Sequence, residues 1–144
     1  MDDNLGIFWF RQDLRLYDNL ALNDLINRSN KILPLYILDD RIKLGGASKW
    51  WLQKSLESLN SSLKARGSKL YCLKGSPLKI LNYLANEYNI QNISWNRLYD
   101  NYSIERDSQI KKNLKYKNVL INSFKGSLIN EPWTIKNKSD SFFK

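Results

Sequence analysis

The chain has 144 residues, of which 42% are apolar and 26% charged, which places it among single globular domains and outside the disordered class. It contains no histidine and one cysteine, Cys72; this excludes Ser-His-Asp and Cys-His nucleophiles, argues against an imidazole or thiolate metal centre, and fits a reducing cytoplasm without a disulfide framework. The net charge of +9 is compatible with a polyanionic partner, although Lys and Arg are spread along the sequence.

No apolar run approaches the roughly 20 residues of a membrane span, and MDDNLGIFWF lacks the basic n-region of a signal peptide. The first strand is predicted at Leu5–Phe10. It runs into Arg11, Asp13, Arg15 and Asp18, a charged loop directly after the most hydrophobic segment. A helix is expected over Asn19–Arg28 with Asp18 as its N-cap. The second strand is read at Lys31–Leu38. Helical spacing of Trp51, Leu52, Ser55, Leu56, Leu59 and Leu63 marks a helix over Ala47–Arg66, closed by Gly67. A third strand follows at Lys69–Leu73, where alternation predicts a buried Cys72. Ser76 before Pro77 opens a helix over Pro77–Tyr88. Ile90–Trp95 is the fourth strand, Tyr102–Leu114 the fourth helix and Asn118–Ile121 the fifth strand.

Strand–helix alternation with apolar strands predicts an α/β fold, a five-stranded doubly wound parallel sheet covered by helices on both faces. The domain is expected over residues 1–121. Residues 122–144, rich in polar residues with Gly126 and Pro132, read as a connector. In such sheets ligands dock beyond the carboxyl ends of the strands, where strand order reverses. Three polar clusters fall there: Arg11–Arg15, Asp39–Arg41 and Asn96–Asp100. Strands one and four are expected to meet at that point. From spacing alone, a loop-ordering ion-pair network and a ligand site are equally good readings of Arg11, Asp13 and Arg15. Gly45-Gly46 lacks the spacing of a phosphate loop and serves as a helix entry. Trp9 and Trp95 belong to the core. Trp50 and Trp51 are neighbours on one helix and cannot both be core, so one should meet a loop or a partner. Lys111–Lys117 closes a helix, where cations are favoured by the dipole and by solvation, with a polyanion contact as the alternative.

WFRQDLRLYDNLAL, residues 9–22, strongly resembles the opening signature of the DNA photolyase/cryptochrome family. The resemblance continues through LYILDD (35–40), GGASKWWLQKSLESL (45–59), GSKLYCLKGSP (67–77) and WNRLYDNYSIERD (95–107), where Arg106-Asp107 matches the family's Arg-Asp pair. It ends in NEPWTIKN (130–137) and SFFK.

The resemblance implies an N-terminal α/β domain that holds an antenna chromophore and feeds a helical domain. That second domain carries FAD, binds damaged DNA and performs light-driven repair of pyrimidine dimers. No segment of this sequence matches the helical domain, which would be supplied in cis or in trans, so this chain alone is not expected to catalyse repair. A cryptochrome-type blue-light receptor module and a stand-alone nucleotide-binding domain are the alternatives. By motif position, Arg11, Leu38, Asp39 and Lys49 resemble deazaflavin-pocket positions. Asn101 and Tyr102 fall where folate-binding members carry Asn-Glu. That pair is absent here, so a deazaflavin or a flavin is expected over a reduced folate. Only weak, salt-sensitive DNA contact is expected of this chain, and self-association through uncovered apolar surface.

Overall fold

A computed structural model describes residues 4–136. Five strands form one all-parallel sheet: β1 (Leu5–Phe10), β2 (Lys31–Asp39), β3 (Tyr71–Gly75), β4 (Ile90–Asn96) and β5 (Leu120–Phe124), in the spatial order β3-β2-β1-β4-β5. The helices between them are α1 (Leu20–Arg28), α2 (Gly46–Lys64), α3 (Pro77–Glu87) and α4 (Asn101–Lys115). This is the doubly wound α/β architecture expected from the sequence. Strand order reverses between β1 and β4, the two strands expected to meet there.

Alternation along β1 explains how two cores form around one strand. Ile7 and Trp9 join Leu81 and Leu84 of α3 and Ile110 and Leu114 of α4 on one face. Phe8 and Phe10 point to the other face, against Ala21 and Leu25 of α1 and Leu59 and Leu63 of α2. Trp9 and Trp95 pack edge to face at 5.5 Å inside the first core, as the sequence predicts. Gly6 is required where β1 passes beneath α1, because a Cβ there would lie 2.8 Å from Leu25 Cδ1.

The two faces are not equally packed. Of the 19 residues of α2 only Leu59 and Leu63 are buried, both in its second half. Its first half stands off the sheet, with Trp50 58% and Trp51 69% exposed. Neither tryptophan is core. Beside α2, β3 is an edge strand, and Cys72 is exposed. That corrects the buried position predicted for it: alternation gives the face of a side chain, not whether a helix covers that face.

Two further corrections are local. Asn19, not Asp18, caps α1, its side chain accepting from Leu22 N at 3.2 Å. Asp18 lies one residue earlier in the left-handed region at φ 47°. The fifth strand begins at Leu120, after Asn118 has turned the chain at φ 58°, and runs on to Phe124. Residues 125–136 then fold back on the sheet end, where a Cβ on Gly126 would overlap Asn96.

Candidate functional site

The polar residues after β1, β2 and β4 converge on one buried network. Arg11 donates from Nη1 to Asp107 Oδ2 at 2.6 Å and from Nη2 to the Asn96 carbonyl. Its guanidinium lies 5.1 Å from the Trp9 ring and 5.8 Å from that of Trp95. Arg106 donates from Nη2 to Asp107 Oδ1 at 3.1 Å and from Nη1 to Asp39 Oδ2 at 3.2 Å, with its guanidinium 4.9 Å from the Trp9 ring. Asp39 also accepts from the Tyr102 hydroxyl at 2.7 Å and from Arg41 N at 3.1 Å. Two guanidiniums and two carboxylates, each under one-tenth exposed, therefore neutralise one another. Such a group holds only while every partner is present, because a lone buried charge costs several kcal/mol.

Burial pulls the Arg11 guanidinium below its ordinary range, and the Asp107 carboxylate opposes that shift. Lys111 is lowered by burial and then by the charges of Arg97 and Arg11. The Tyr102 phenol is raised, first by burial and then by donating to Asp39.

The rest of the opening motif stitches the loop to its neighbours. Asp13 accepts from Arg11 N at 3.3 Å and from the Asn96 side chain. Asn96 also donates to Asn19 Oδ1 at 2.9 Å. Arg15 reaches the Asp18 carbonyl at 3.2 Å and the Gly126 carbonyl at 3.1 Å. Charges follow the most hydrophobic strand because its end is the joint where β1, β4 and α4 are locked together.

Above this network opens a cleft of about 1310 Å³. The loop Arg11–Arg15, the end of β2 and the exposed first half of α2 wall it, with Trp50 and Trp51 on the α2 side. The structure brings Arg11, Leu38 and Asp39 to this wall. Lys49 lies on the other flank of α2, in a groove of about 450 Å³ shared with Leu38 and Cys72. Tyr102 lines a cavity of about 340 Å³ that touches the cleft only through Asp39 and Arg106. Asn101 is exposed and lines none of the three. Of the residues chosen from sequence, three therefore share one cleft and three stand apart.

Sequence reasoning gave no site role to Trp50 and Trp51, although an adjacent pair on one helix was the available signal. It also passed over Glu131, in the segment read as a connector. Glu131 is 9% exposed and accepts from Arg97 Nε at 2.7 Å and from the Tyr99 hydroxyl at 2.9 Å.

A cleft at the carboxyl ends of a parallel sheet is the place where doubly wound α/β domains take their ligands. The chain belongs to the DNA photolyase family, whose model matches residues 6–144. A deoxyribodipyrimidine photo-lyase of Agrobacterium fabrum is 39% identical over 134 residues, covering 92% of this chain and 28% of that protein. Cryptochrome-2 of Arabidopsis thaliana is 33% identical, over 92% of this chain and 22% of its own length. Among solved structures, a bacterial class III photolyase from Agrobacterium tumefaciens superposes with a TM-score of 0.92 at 37% identity, covering 98% of this chain and 30% of that one. An archaeal photolyase from Sulfolobus tokodaii, whose structure holds two FAD molecules and is described as implying a novel light-harvesting cofactor, gives 0.83 at 26% identity over 92% of this chain and 32% of its own. The chain thus spans under a third of the length of these relatives and matches their N-terminal α/β domain.

Proposed function

We propose that this chain is the antenna module of a deoxyribodipyrimidine photolyase, holding a planar conjugated pigment in the cleft above β1 and β2. The observation that carries the reading is the cleft itself, apolar on the α2 side, with two exposed tryptophans and Leu38 facing a wall of fixed polar groups. A flat ring needs an apolar slot with a few placed donors and acceptors, and exposed indoles supply stacking area at little conformational cost. The donor set fits such a ring: Arg11 Nε and Trp9 Nε1, on two wall residues, have no hydrogen-bond partner among the described residues.

When bound, the pigment supplies light absorption and passes excitation to an FAD held by a helical domain, in cis or in trans. The protein's part is orientation. Arg11 is already balanced by Asp107, so it acts as a fixed wall and dipole and not as a free cation for an anionic ring. Asp39, held by Tyr102, Arg106 and Arg41, presents a carboxylate of fixed direction. The preference for a deazaflavin or flavin over a reduced folate rests on Asn101-Tyr102, which stands where folate-binding members carry Asn-Glu. DNA repair belongs to the assembled two-domain protein, with damaged DNA bound through the helical domain.

The similarity to a plant cryptochrome supports a second reading, in which the same module serves a blue-light receptor that signals through a partner. Pigment binding is common to both.

Titration of the purified chain with deazaflavin, flavin and reduced folate, followed by visible absorbance, tests the proposal. A bound, red-shifted deazaflavin or flavin is expected, with affinity lowered roughly threefold to tenfold by Trp51→Ala. No binding by any of the three, or binding indifferent to Trp50→Ala and Trp51→Ala, would overturn it.

A further inference from the structure

Cations are scattered along the sequence, but the carboxylates that balance them are not. Between Arg41 and Lys79 lie nine Lys and Arg residues and a single acid, Glu57, so this interval holds eight of the nine net positive charges of the chain. All nine cations are exposed. Seven of them, from Lys43 to Lys74, lie on the entry to α2, α2 itself, the turn after it and the edge strand β3, whereas Arg41 sits 5.7 Å from the Tyr102 ring and Lys79 lies on α3, on the other face of the sheet. Among the described residues Glu57 offsets only Lys54, at 2.9 Å.

This flank is also grooved and apolar. Leu52 and Leu56 of α2 face Leu70 and Cys72 beside β3 across the groove of about 450 Å³, with Lys49 on its wall. On β3, Tyr71 is 42% exposed, with Lys69 Nζ 4.8 Å from its ring centre. No strand of the sheet lies beyond β3. An apolar furrow with Lys49 and Glu57 on its wall, on elements that also carry the exposed Lys64, Arg66, Lys69 and Lys74, is complementary to a polymer that presents phosphates and uncovered bases together. Duplex DNA buries its bases, and a lipid surface offers no base-sized ring to a furrow.

We propose that the open β3 edge beside α2 binds single-stranded nucleic acid, its phosphates on Lys64, Arg66, Lys69 and Lys74 and its bases in the groove and, around the edge on the opposite face of β3 from Cys72, on Tyr71. This site is separate from the pigment cleft, which none of those four cations lines, and it does not depend on a pigment being bound. It also departs from the even spread of charge read from the sequence, since only the count against carboxylates shows the segregation.

Fluorescence anisotropy with a labelled oligothymidylate tests it, using the whole chain. With four to six phosphates neutralised, affinity should fall roughly 50- to 340-fold between 50 and 200 mM salt. Reversing the four cations together (K64E, R66E, K69E, K74E) should weaken binding at low salt about 100-fold or more. The equal reversal at the far end of the molecule (K112E, K115E, K117E, K125E) should cost less than about threefold. Tyr71→Ala should weaken the single strand roughly fivefold or more and leave a duplex of equal length unchanged.

Equal losses from the two reversals would overturn the site in favour of net charge alone. So would duplex binding as tight as single-strand binding with Tyr71→Ala silent, or binding to phosphatidylserine vesicles that the oligonucleotide does not displace. Lysine acylation of the unaltered chain gives a result independent of variant folding. The oligonucleotide should protect Lys64, Lys69 and Lys74 and leave Lys112 and Lys115 reactive; the reverse pattern would refute the assignment. Retained pigment absorbance in the α2–β3 variant separates failure here from failure of the antenna reading.

Discussion

The two faces of the sheet are built to different standards. On the α3–α4 side, Leu81, Ile110 and Leu114 are fully buried against Trp9 and Trp95, and the ends of the strands are closed by the Arg11–Asp107–Arg106–Asp39 network. On the α1–α2 side, α2 is anchored by Leu59 and Leu63 alone, and its first half borders two cavities. The lesson is that one face fixes the frame while the other leaves apolar surface of α2 exposed beside two cavities. Apolar residues left exposed on α2 are therefore the informative ones, since a helix that served only the core would have buried them.

The sharpest way to break this contrast is Asp107→Ala, which leaves two guanidiniums buried beside the tryptophans. A loss of about 3–5 kcal/mol in denaturant unfolding is expected; a loss below 1 kcal/mol would show that the network is not a lock. Next in size, Leu81→Ala on α3 should cost roughly 2–5 kcal/mol. Leu56→Ala, on the open side of α2, should cost about 1 kcal/mol or less. Similar losses at the two leucines would erase the distinction between the faces. Asn19→Ala removes the α1 cap and the link to Asn96, for roughly 0.5–2 kcal/mol, whereas Asp18→Ala removes no cap and should cost about 1 kcal/mol or less, from placing alanine at φ 47°.

The smallest effect sharpens the site itself. Tyr102 has a raised phenol pKa, so the folded state favours the neutral form. Its contribution is complete below pH 10.0, the ordinary value, and is lost as pH rises through the higher folded value. Tyrosinate absorbance should therefore show a late-titrating group of phenols, to which Tyr36 and Tyr99 also belong, and Tyr102→Phe should remove one member of it. An unchanged titration would mean that the contact with Asp39 does not persist in solution.

Much of the frame was legible because buried parallel strands leave continuous apolar runs, and Leu5–Phe10 and Ile90–Trp95 fall on β1 and β4 almost residue for residue. Errors occur where a neighbour decides. Cys72 alternates like a core residue but sits on an edge strand. Asp18 has cap chemistry but the wrong backbone, and the next residue takes the role. Residues 122–124 read as connector because Asn122 and Ser123 are polar, yet they complete β5. The site was half legible: the motif located Arg11, Leu38 and Asp39, but whether a guanidinium is free or already paired depends on Asp107, 96 positions away. Lys49 and Trp50 are adjacent in sequence and end in different cavities, because α2 stands between them.

The order of the strands also sets a timetable. β1 emerges first but keeps one edge unpaired until β4 exists, and Arg11 waits for Asp107, 96 residues later. At roughly 5–20 residues per second on a ribosome, the most hydrophobic segment spends about 5–20 s with an open edge and a cation in search of its partner. Throughout that interval Arg11, Asp13, Arg15 and Asp18 stand directly after the open strand, the kind of flanking charge that disfavours edge-to-edge pairing.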